Sequence, residues 1–231
     1  MSGSVRALTE RERGIAQLLR DRLTRDSWRA IQRALPGYVP GDIDSMAMAC
    51  DRLVERHAAL FGLFTEGLSR GPAWRFLDMG LRLERASMVL LSARAIVPGS
   101  ASAVDLSALL ELVDGQSLYR SRYMAMPYIA PVFDMVLLDP AQPRGLALQV
   151  GRIVEHLSAI PPLDDNGMPE PPLRQARHLQ AQLEALDSRE ITTPVLISLQ
   201  GELAKLYEAI SKRYFLQQDD APGKPPARLL E

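Results

Sequence analysis

The chain has 231 residues, of which 47% are hydrophobic and 24% are charged, so its composition is that of a globular protein and excludes wholesale disorder. Lys and Arg number 27 and Asp and Glu 28; the net charge of −1 favours neither nucleic acid nor an anionic membrane as a partner. A single cysteine excludes an internal disulfide, so we expect a reducing, cytoplasmic location. No apolar run approaches the roughly 20 residues of a membrane-spanning helix, and the N-terminus lacks the apolar middle of a signal peptide.

Hydrophobic residues recur with the helical period of 3.6, and no segment alternates as a strand does. In chain order we predict helices over about residues 6–22, a short stretch after Asp26, 43–69, 72–96 and 103–125. A further helix is opened by residues 139–144 and ends near 160, and two more cover about 173–187 and 192–217. Asp42 is placed to cap the third of these helices, and Pro72 suits the first turn of the fourth.

The predicted fold is therefore all-α, a bundle of about eight mostly antiparallel helices in one continuous domain over residues 1–218. Residues 161–172, rich in Pro, Asp and Gly, are predicted to be a mobile loop and are the place where two lobes would divide. The Pro-rich stretch 219–231 is predicted to be a flexible tail.

The long third helix has an apolar seam with alternating steps of four and three, in which His57 is the polar member. The seam consists of Met46, Cys50, Leu53, His57, Leu60 and Phe64. His57 is either a core histidine bonded to a neighbouring group or a ligand or acid/base group. The chain has no Glu-x-x-His or Cys-x-x-Cys motif, so we predict neither a metal nor a cofactor and interpret Cys50 as a small buried hydrophobic residue.

The fourth helix has a similar seam that contains a carboxylate. Its members are Leu77, Leu81, Glu84, Met88 and Leu91, and the opposite face has Arg75, Asp78 and Arg82. This arrangement predicts that Glu84 is buried, with Arg85 at the polar border of the apolar arc. Gly80, one turn earlier on the same face, would let another helix or a ligand come close to the carboxylate.

A buried, ionised carboxylate without a partner is penalised by several kcal/mol, so Glu84 needs an arginine or must stay protonated. Arg120 lies on the apolar stripe of the next predicted helix, with Tyr119 and Tyr123 beside it. We predict that Glu84 and Arg120 meet between the two helices, with Ser117 or a tyrosine completing the network. Such a pair either fixes the register of the helices or forms a polar pocket for a ligand or partner.

A third unusual segment is the corner from Leu138 to Arg144. Asp139 is predicted to accept backbone N–H bonds there, and Pro143 suits the first turn of the helix that follows. Arg144 lies near a helix N-terminus, where the helix dipole disfavours a positive charge. We therefore predict that Arg144 binds a specific carboxylate or another anion.

The stretch Trp74–Ala86, with Glu84-Arg85 near its end, resembles the Glu-Arg motif of the bacterial alpha-E family, helical proteins catalogued as a domain of unknown function. Further segments resemble the family in the same order: Arg22–Trp28, Tyr119-Arg120 with Tyr123, and Leu138-Asp139-Pro140 with Pro143-Arg144. The ordered set covers about residues 10–217. Family members usually carry an additional first helix with its own Glu-Arg motif, for which the chain has no counterpart.

The resemblance implies a context rather than a reaction. Alpha-E proteins are encoded beside, or fused to, circularly permuted ATP-grasp proteins, and transglutaminase-like proteins and a proteasome-like peptidase often accompany them. We therefore expect a non-catalytic interaction module that binds an ATP-grasp amide ligase or its peptide substrate. One alternative is an enzyme in which Glu84 is the acid or base and Arg85 or Arg120 orients a carboxylate. Another is a structural bundle that forms a homo-oligomer.

Overall fold

A computed structural model of the chain describes residues 4–34, 42–96, 101–163 and 167–216, which hold ten α-helices and no strand. The helices are α1 Val5–Leu18, α2 Arg25–Ala34, α3 Ile43–Gly67, α4 Pro72–Ala95, α5 Ala103–Leu112, α6 Gln116–Tyr123, α7 Ile129–Phe133, α8 Leu146–Ala159, α9 Pro171–Ala185 and α10 Thr193–Tyr214. A π-helical segment, Asp134–Leu138, continues α7. The all-α prediction is confirmed, with ten helices instead of about eight. None of the helices in these ranges combines the length and the apolar character needed to cross a bilayer.

The chain divides into two compact units, Met1–Trp74 and Arg75–Glu231, where the sequence favoured one continuous domain with a possible division at residues 161–172. The ends of that predicted mobile loop are anchored, because the Leu163 N–H donates to the Glu170 carboxylate at 2.7 Å and α9 begins at Pro171. Residues 164–166 of the loop and the predicted tail 219–231 lie outside the described residues.

The first unit contains α1, α2 and α3 around a small core. Ala16 and Ile31 are buried, and Leu60 and Phe64 of α3 pack against them. Asp42 caps α3 as predicted, since its side chain accepts the backbone N–H of Ser45. The apolar seam of α3 reaches this core only near its C-terminal end.

The prediction that Cys50 is buried is wrong, because its side chain is exposed. His57 is bonded to a neighbouring group, since its Nδ1 lies 2.7 Å from the Leu53 carbonyl oxygen, and its Nε2 lies 3.3 Å from the Glu12 carboxylate. Its side chain is 41% exposed, so it is a surface histidine rather than a core one.

The second unit has a much larger apolar core, to which α4 and α8 to α10 all contribute; α9 packs against both α8 and α10. On α4 a seam of buried apolar residues also follows steps of four and three: Met79, Leu83, Ala86, Leu90 and Ala93. Val89 is buried beside this seam. This seam is shifted by two residues from the predicted one, which corresponds to about 160° around the helix. Leu77, Met88 and Leu91 of the predicted seam are therefore exposed, by 41%, 56% and 52%.

The helix predicted over residues 103–125 is broken into α5 and α6 at Asp114 and Gly115. Asp114 has a positive φ of 53°, and the Gly115 N–H donates to the Leu110 carbonyl, which is the hydrogen-bond pattern of a helix end. A Cβ at Gly115 would lie 2.9 Å from the Gln142 side-chain nitrogen and 3.3 Å from the Met135 sulfur. The helix ends at this break, and the predicted apolar stripe is not buried beyond it, since Ser117 and Arg120 are exposed.

Candidate functional site

Glu84 is exposed on α4, and so is Arg120 on α6. No ion pair or hydrogen bond joins them in the part of the chain that the structure describes. The predicted burial of Glu84 and its pairing with Arg120 are therefore wrong. Ser117, predicted to complete the network, is exposed as well. The errors have two physical causes: the buried seam of α4 is a different one, and the break at Asp114 places Arg120 on a separate helix.

Gly80 was predicted to let another helix or a ligand come close to the Glu84 carboxylate, and no other helix of the described residues approaches Gly80. Gly80 is exposed, and a Cβ built on it would meet no atom within 4 Å.

Glu84 instead lines an open groove between α4 and α10, with a volume of about 350 Å³. The residues that form it are Leu83, Glu84, Ser87 and Leu91 of α4 and Gln200, Leu203, Ala204 and Tyr207 of α10. Most of this lining is apolar, and Leu91 and Tyr207 are more than half exposed. The Glu84 carboxylate thus stands beside an apolar surface rather than inside the core.

One set of buried charges in the second unit includes residues on the face of α4 opposite the predicted seam. Asp78 of α4 and His156 of α8 are only 6% and 5% exposed. Nε2 of His156 lies 2.6 Å from the Asp78 carboxylate. Arg82 donates two hydrogen bonds to the same carboxylate, at 3.1 and 3.2 Å. Together these residues form a buried, charged network between α4 and α8.

Both ring nitrogens of His156 have partners within the protein. Nη1 of Arg75 lies 3.4 Å from its Nδ1, and its Nε2 contacts the Asp78 carboxylate. His156 is therefore a positioned structural group rather than a free acid or base.

Burial tends to raise the pKa of Asp78, but the hydrogen bonds from Arg82 and His156 outweigh it and hold the pKa below its ordinary value. The carboxylate is consequently ionised at neutral pH. Its charge balances that of Arg82, as a buried charge requires.

Gln149, fully buried on α8, connects this network to the corner that precedes the helix. Its side-chain oxygen accepts from Arg82 at 3.1 Å. Its side-chain nitrogen donates to the carbonyl oxygens of Pro143 and Gly145, at 2.9 and 3.1 Å. The backbone of the corner is thereby held against the buried charges of α4.

The corner itself bears out two of the three predictions made for it. Asp139 accepts the backbone N–H of Ala141 at 2.7 Å and pairs with Arg122 at 2.6 Å. Arg144 pairs with a carboxylate as predicted; its partner is Asp114, at 2.8 Å. Pro143, however, is not in a helical turn, because α8 begins only at Leu146.

Tyr119 is buried, and its hydroxyl forms hydrogen bonds with backbone groups nearby in the sequence. It accepts from the Tyr128 N–H at 3.3 Å and lies 3.4 Å from the Met126 carbonyl, to which it donates. The ring of Tyr123 packs against that of Tyr119 with 4.8 Å between centroids. The two tyrosines therefore hold the loop after α6, and neither completes a network with Glu84.

Arg85 is partly buried on α4. In the described ranges, it forms no hydrogen bond or ion pair. Burial, followed by repulsion from Arg82 and Arg144, lowers its pKa, and the attraction of Asp78 offsets this only in part. Nowhere in those ranges do three His, Cys, Asp or Glu side chains meet as potential metal ligands.

Sequence reasoning missed the central network residues Asp78, Arg82, Gln149 and His156. A signal for the first two was present, since the seam that begins at Met79 has the required spacing and contains no charged residue. The predicted seam, in contrast, contains Glu84, whose burial would have required a partner for its charge. Asp78 and Arg82 flank the uncharged seam and would have been placed at the edge of the core.

The sequence model of the Alpha-E family, described as a predicted alpha-helical domain with a conserved ER motif, matches residues 1–215. An uncharacterized protein of Mycobacterium tuberculosis is 25% identical over 209 residues, which are 84% of this chain and 23% of that protein. An uncharacterized protein of Mycobacterium bovis is 24% identical with the same coverage. The chain thus corresponds to about a quarter of the length of these curated relatives. No solved structure matches it significantly.

Proposed function

The chain belongs to the Alpha-E family, and we propose that it is a non-catalytic helical interaction module of the cytoplasm. Its partner is an ATP-grasp amide-bond-forming ligase, and the process is peptide synthesis or modification. The observation that supports an interaction role is the position of Glu84, which stands exposed at an apolar groove while the buried charges satisfy one another. The gene context implied by the family resemblance supports the choice of partner.

The groove has the properties of a recognition surface. Leu91 and Tyr207 expose apolar area in the groove, and Glu84 is the single carboxylate among its described lining residues. Exposed apolar patches on a folded domain are often contact surfaces, and a charge at their edge selects the partner. The complementary occupant is an amphipathic segment of the ligase that places apolar side chains in the groove and a lysine or arginine on Glu84.

One observation favours the enzyme alternative: Glu84 lies at a cleft that solvent reaches. The other lining residues argue against it, because among those described none is a second carboxylate, a histidine or an arginine. Carboxylates that act as acids or bases near neutral pH normally depend on burial, and Glu84 is exposed. The groove is therefore better suited to binding than to proton transfer.

The test is binding of the full chain to the ATP-grasp protein encoded in the same genome, measured by calorimetry together with ATP turnover. We expect Glu84→Lys to weaken the complex by at least about tenfold, because it reverses the charge at the groove. Glu111→Lys is the matched control, since Glu111 is exposed on α5 outside the groove. The absence of a complex, with unchanged ATP turnover, would contradict the proposal.

Solution mass measured at several concentrations separates the module from the oligomeric bundle. Self-association that Glu84→Lys disrupts would show that the groove binds a second copy of the chain instead of a ligase. For the enzyme alternative, Glu84→Gln is the informative variant. A folded Glu84→Gln protein that binds the ligase but abolishes product formation would favour catalysis.

A further inference from the structure

The groove beside Glu84 has a residue of the opposite charge near its other end. One face of α4 follows the groove in steps of three, four and three: Glu84, Ser87, Leu91 and Arg94. The first three of these line the groove, and Arg94 is the next residue of the same face. Glu84 and Arg94 are ten residues apart, which is about 15 Å along the helix axis.

A direct contact places Arg94 at this groove. Nη1 of Arg94 donates to the side-chain oxygen of Gln200 at 2.7 Å, and Gln200 lines the groove on α10. Near the start of α4, the ring of Phe76 packs against that of Tyr214, at the end of α10, with 5.1 Å between centroids. The two helices are therefore antiparallel, and Arg94 with Gln200 marks one end of the groove.

The other end of the groove is marked by Glu84 and Tyr207. Tyr207 lies midway between Gln200 and Tyr214 along α10, so the antiparallel arrangement places it level with Glu84. It is 60% exposed. The apolar part of the groove thus lies between a carboxylate and a guanidinium.

Both charges are available to a partner. Glu84 and Arg94 are exposed, and in the ranges that the structure describes neither forms an ion pair. The hydrogen bond of Arg94 goes to a neutral amide and lies at the surface, so it leaves the charge uncompensated and can be exchanged at small cost. The groove therefore has a negative end and a positive end.

We propose that the groove binds a helix of the partner with a fixed charge pattern, a lysine or arginine opposite Glu84 and an aspartate or glutamate opposite Arg94. A groove between two antiparallel helices fits a third helix, whose apolar side chains enter it at spacings of three and four residues. About ten residues of that helix span the distance between the two charges. The inference rests on the interaction role proposed for the groove and adds the chemistry of the segment that it binds.

Three synthetic peptides test this charge pattern. Each is an acetylated and amidated alanine-rich peptide of about 18 residues, long enough to be helical, with leucines spaced by three and four residues. Two positions about three turns apart, or about 16 Å, are Glu and Lys, Lys and Lys, or Glu and Glu. Binding to the full chain is measured by calorimetry at low ionic strength.

We expect the Glu–Lys peptide to bind at least about fivefold more tightly than the other two, because each of those replaces an attraction by a repulsion. Equal binding of the three peptides, or binding of none, would overturn the proposal. This comparison uses the original protein and does not depend on the stability of any variant.

Reversing the charge at either end should change which peptide is preferred. Arg94→Glu should make the Lys–Lys peptide the tightest ligand, and Glu84→Lys should do the same for the Glu–Glu peptide. Loss of the hydrogen bond to Gln200 would weaken all peptides alike and could not produce such a switch. Arg152→Glu is the control, since Arg152 is an exposed arginine of α8 paired with Glu155, and it should leave the preference unchanged. A folded Arg94→Glu protein that still prefers the Glu–Lys peptide would contradict the proposal.

The same variants separate this inference from the proposed function. A ligase complex that Glu84→Lys weakens and Arg94→Glu does not would retain the ligase as partner and overturn the charge pattern. Charge-dependent peptide binding without a ligase complex would retain the pattern and overturn the choice of ligase. Self-association of the chain that both reversals weaken would assign the groove to a second copy and overturn the assignment to a partner helix.

Discussion

At the scale of single residues, Asp78 is the carboxylate on which the buried network depends. Asp78→Asn preserves the shape of the side chain but removes the charge that balances Arg82. We expect the free energy of unfolding to fall by about 3 kcal/mol, since a buried charge loses its partner. Urea denaturation at pH 7 measures this loss. Glu111→Gln, at an exposed position of the same unit, should stay within about 0.5 kcal/mol of the original protein.

The pH dependence of this difference follows from the lowered pKa of Asp78. The ordinary aspartate value is 3.8, and the folded value lies below it. The stabilisation is therefore complete above the unfolded pKa and is lost as the pH falls through the folded pKa. The stability difference between the original protein and Asp78→Asn should be constant near neutral pH and shrink below about pH 4. A difference that persisted unchanged under acid conditions would show that Asp78 acts through shape alone.

Asp134 behaves in the opposite way. Burial raises its pKa, and repulsion from Asp139 and Asp187 adds to this, while Arg122 opposes it. Its ionised form therefore destabilises the folded protein, and stability is regained as the pH falls through the raised pKa. We expect Asp134→Asn to increase the free energy of unfolding at pH 7 by about 0.5 kcal/mol, and the increase to vanish in acid.

Asp139→Asn is the matched comparison for Asp134→Asn. Asp139 is paired with Arg122 and accepts a backbone N–H, so its substitution should lower stability at pH 7. If both variants shifted stability in the same direction, the charge arrangement inferred at this corner would be wrong.

At the scale of elements, two glycines in the second unit have opposite roles. Gly80 lies in the interior of α4 with open space around its missing side chain, so Gly80→Ala should stabilise the protein by up to about 1 kcal/mol. At Gly145, before α8, a Cβ would lie 3.1 Å from both the Val136 carbonyl oxygen and Cγ of the buried Gln142. Gly145→Ala should therefore cost about 1–2 kcal/mol.

Thermal or urea denaturation of the two glycine variants checks this pair directly. The same substitution is made in both, so a difference in sign isolates the packing at each site from the general effect of alanine. Stabilisation at both positions would show that the residues around Gly145 shift to accommodate a Cβ more easily than the close contacts indicate.

The helices of this protein were predictable from its sequence, but the face that each helix buries was harder to predict. The period of 3.6 and local signals such as Asp42 and Pro72 identify helices and their starts, because these depend on neighbouring residues only. The buried face of α4 was not identified, since two apolar stripes with equal spacing run along it. Burial is decided by which stripe finds partners on other helices, and only the absence of a charge favoured the Met79 stripe.

The break between α5 and α6 also depends on contacts that the local sequence does not reveal. Asp114-Gly115 is a turn-forming pair, yet the apolar spacing continues through it. The close contacts of Gly115 with Gln142 and Met135, distant in sequence, complete the reason for the break. The corner prediction succeeded for Asp139 because an Asp before a Pro forms its bonds within a few residues.

At the scale of the whole molecule, the two units differ in the size of their cores. The second unit has nearly all of the buried apolar residues described, together with the Asp78 network. In the first unit, Ala16 and Ile31 are the buried apolar residues of the described range. Since burial of apolar area is the main stabilising contribution, the second unit should resist opening more strongly.

Hydrogen exchange in the native protein tests this difference. Helix α3 has no buried residue along its described length, whereas α8 buries Val150, Ile153 and Leu157 among others. Amides of α3 should therefore exchange through openings that cost at least about 2 kcal/mol less than those of α8. In urea, the protection of α3 should be lost first, while that of α8 persists until global unfolding. Loss of protection in α3 and α8 at the same urea concentration would show that the two units unfold as one, and that the small core of the first is supported by more than its own packing.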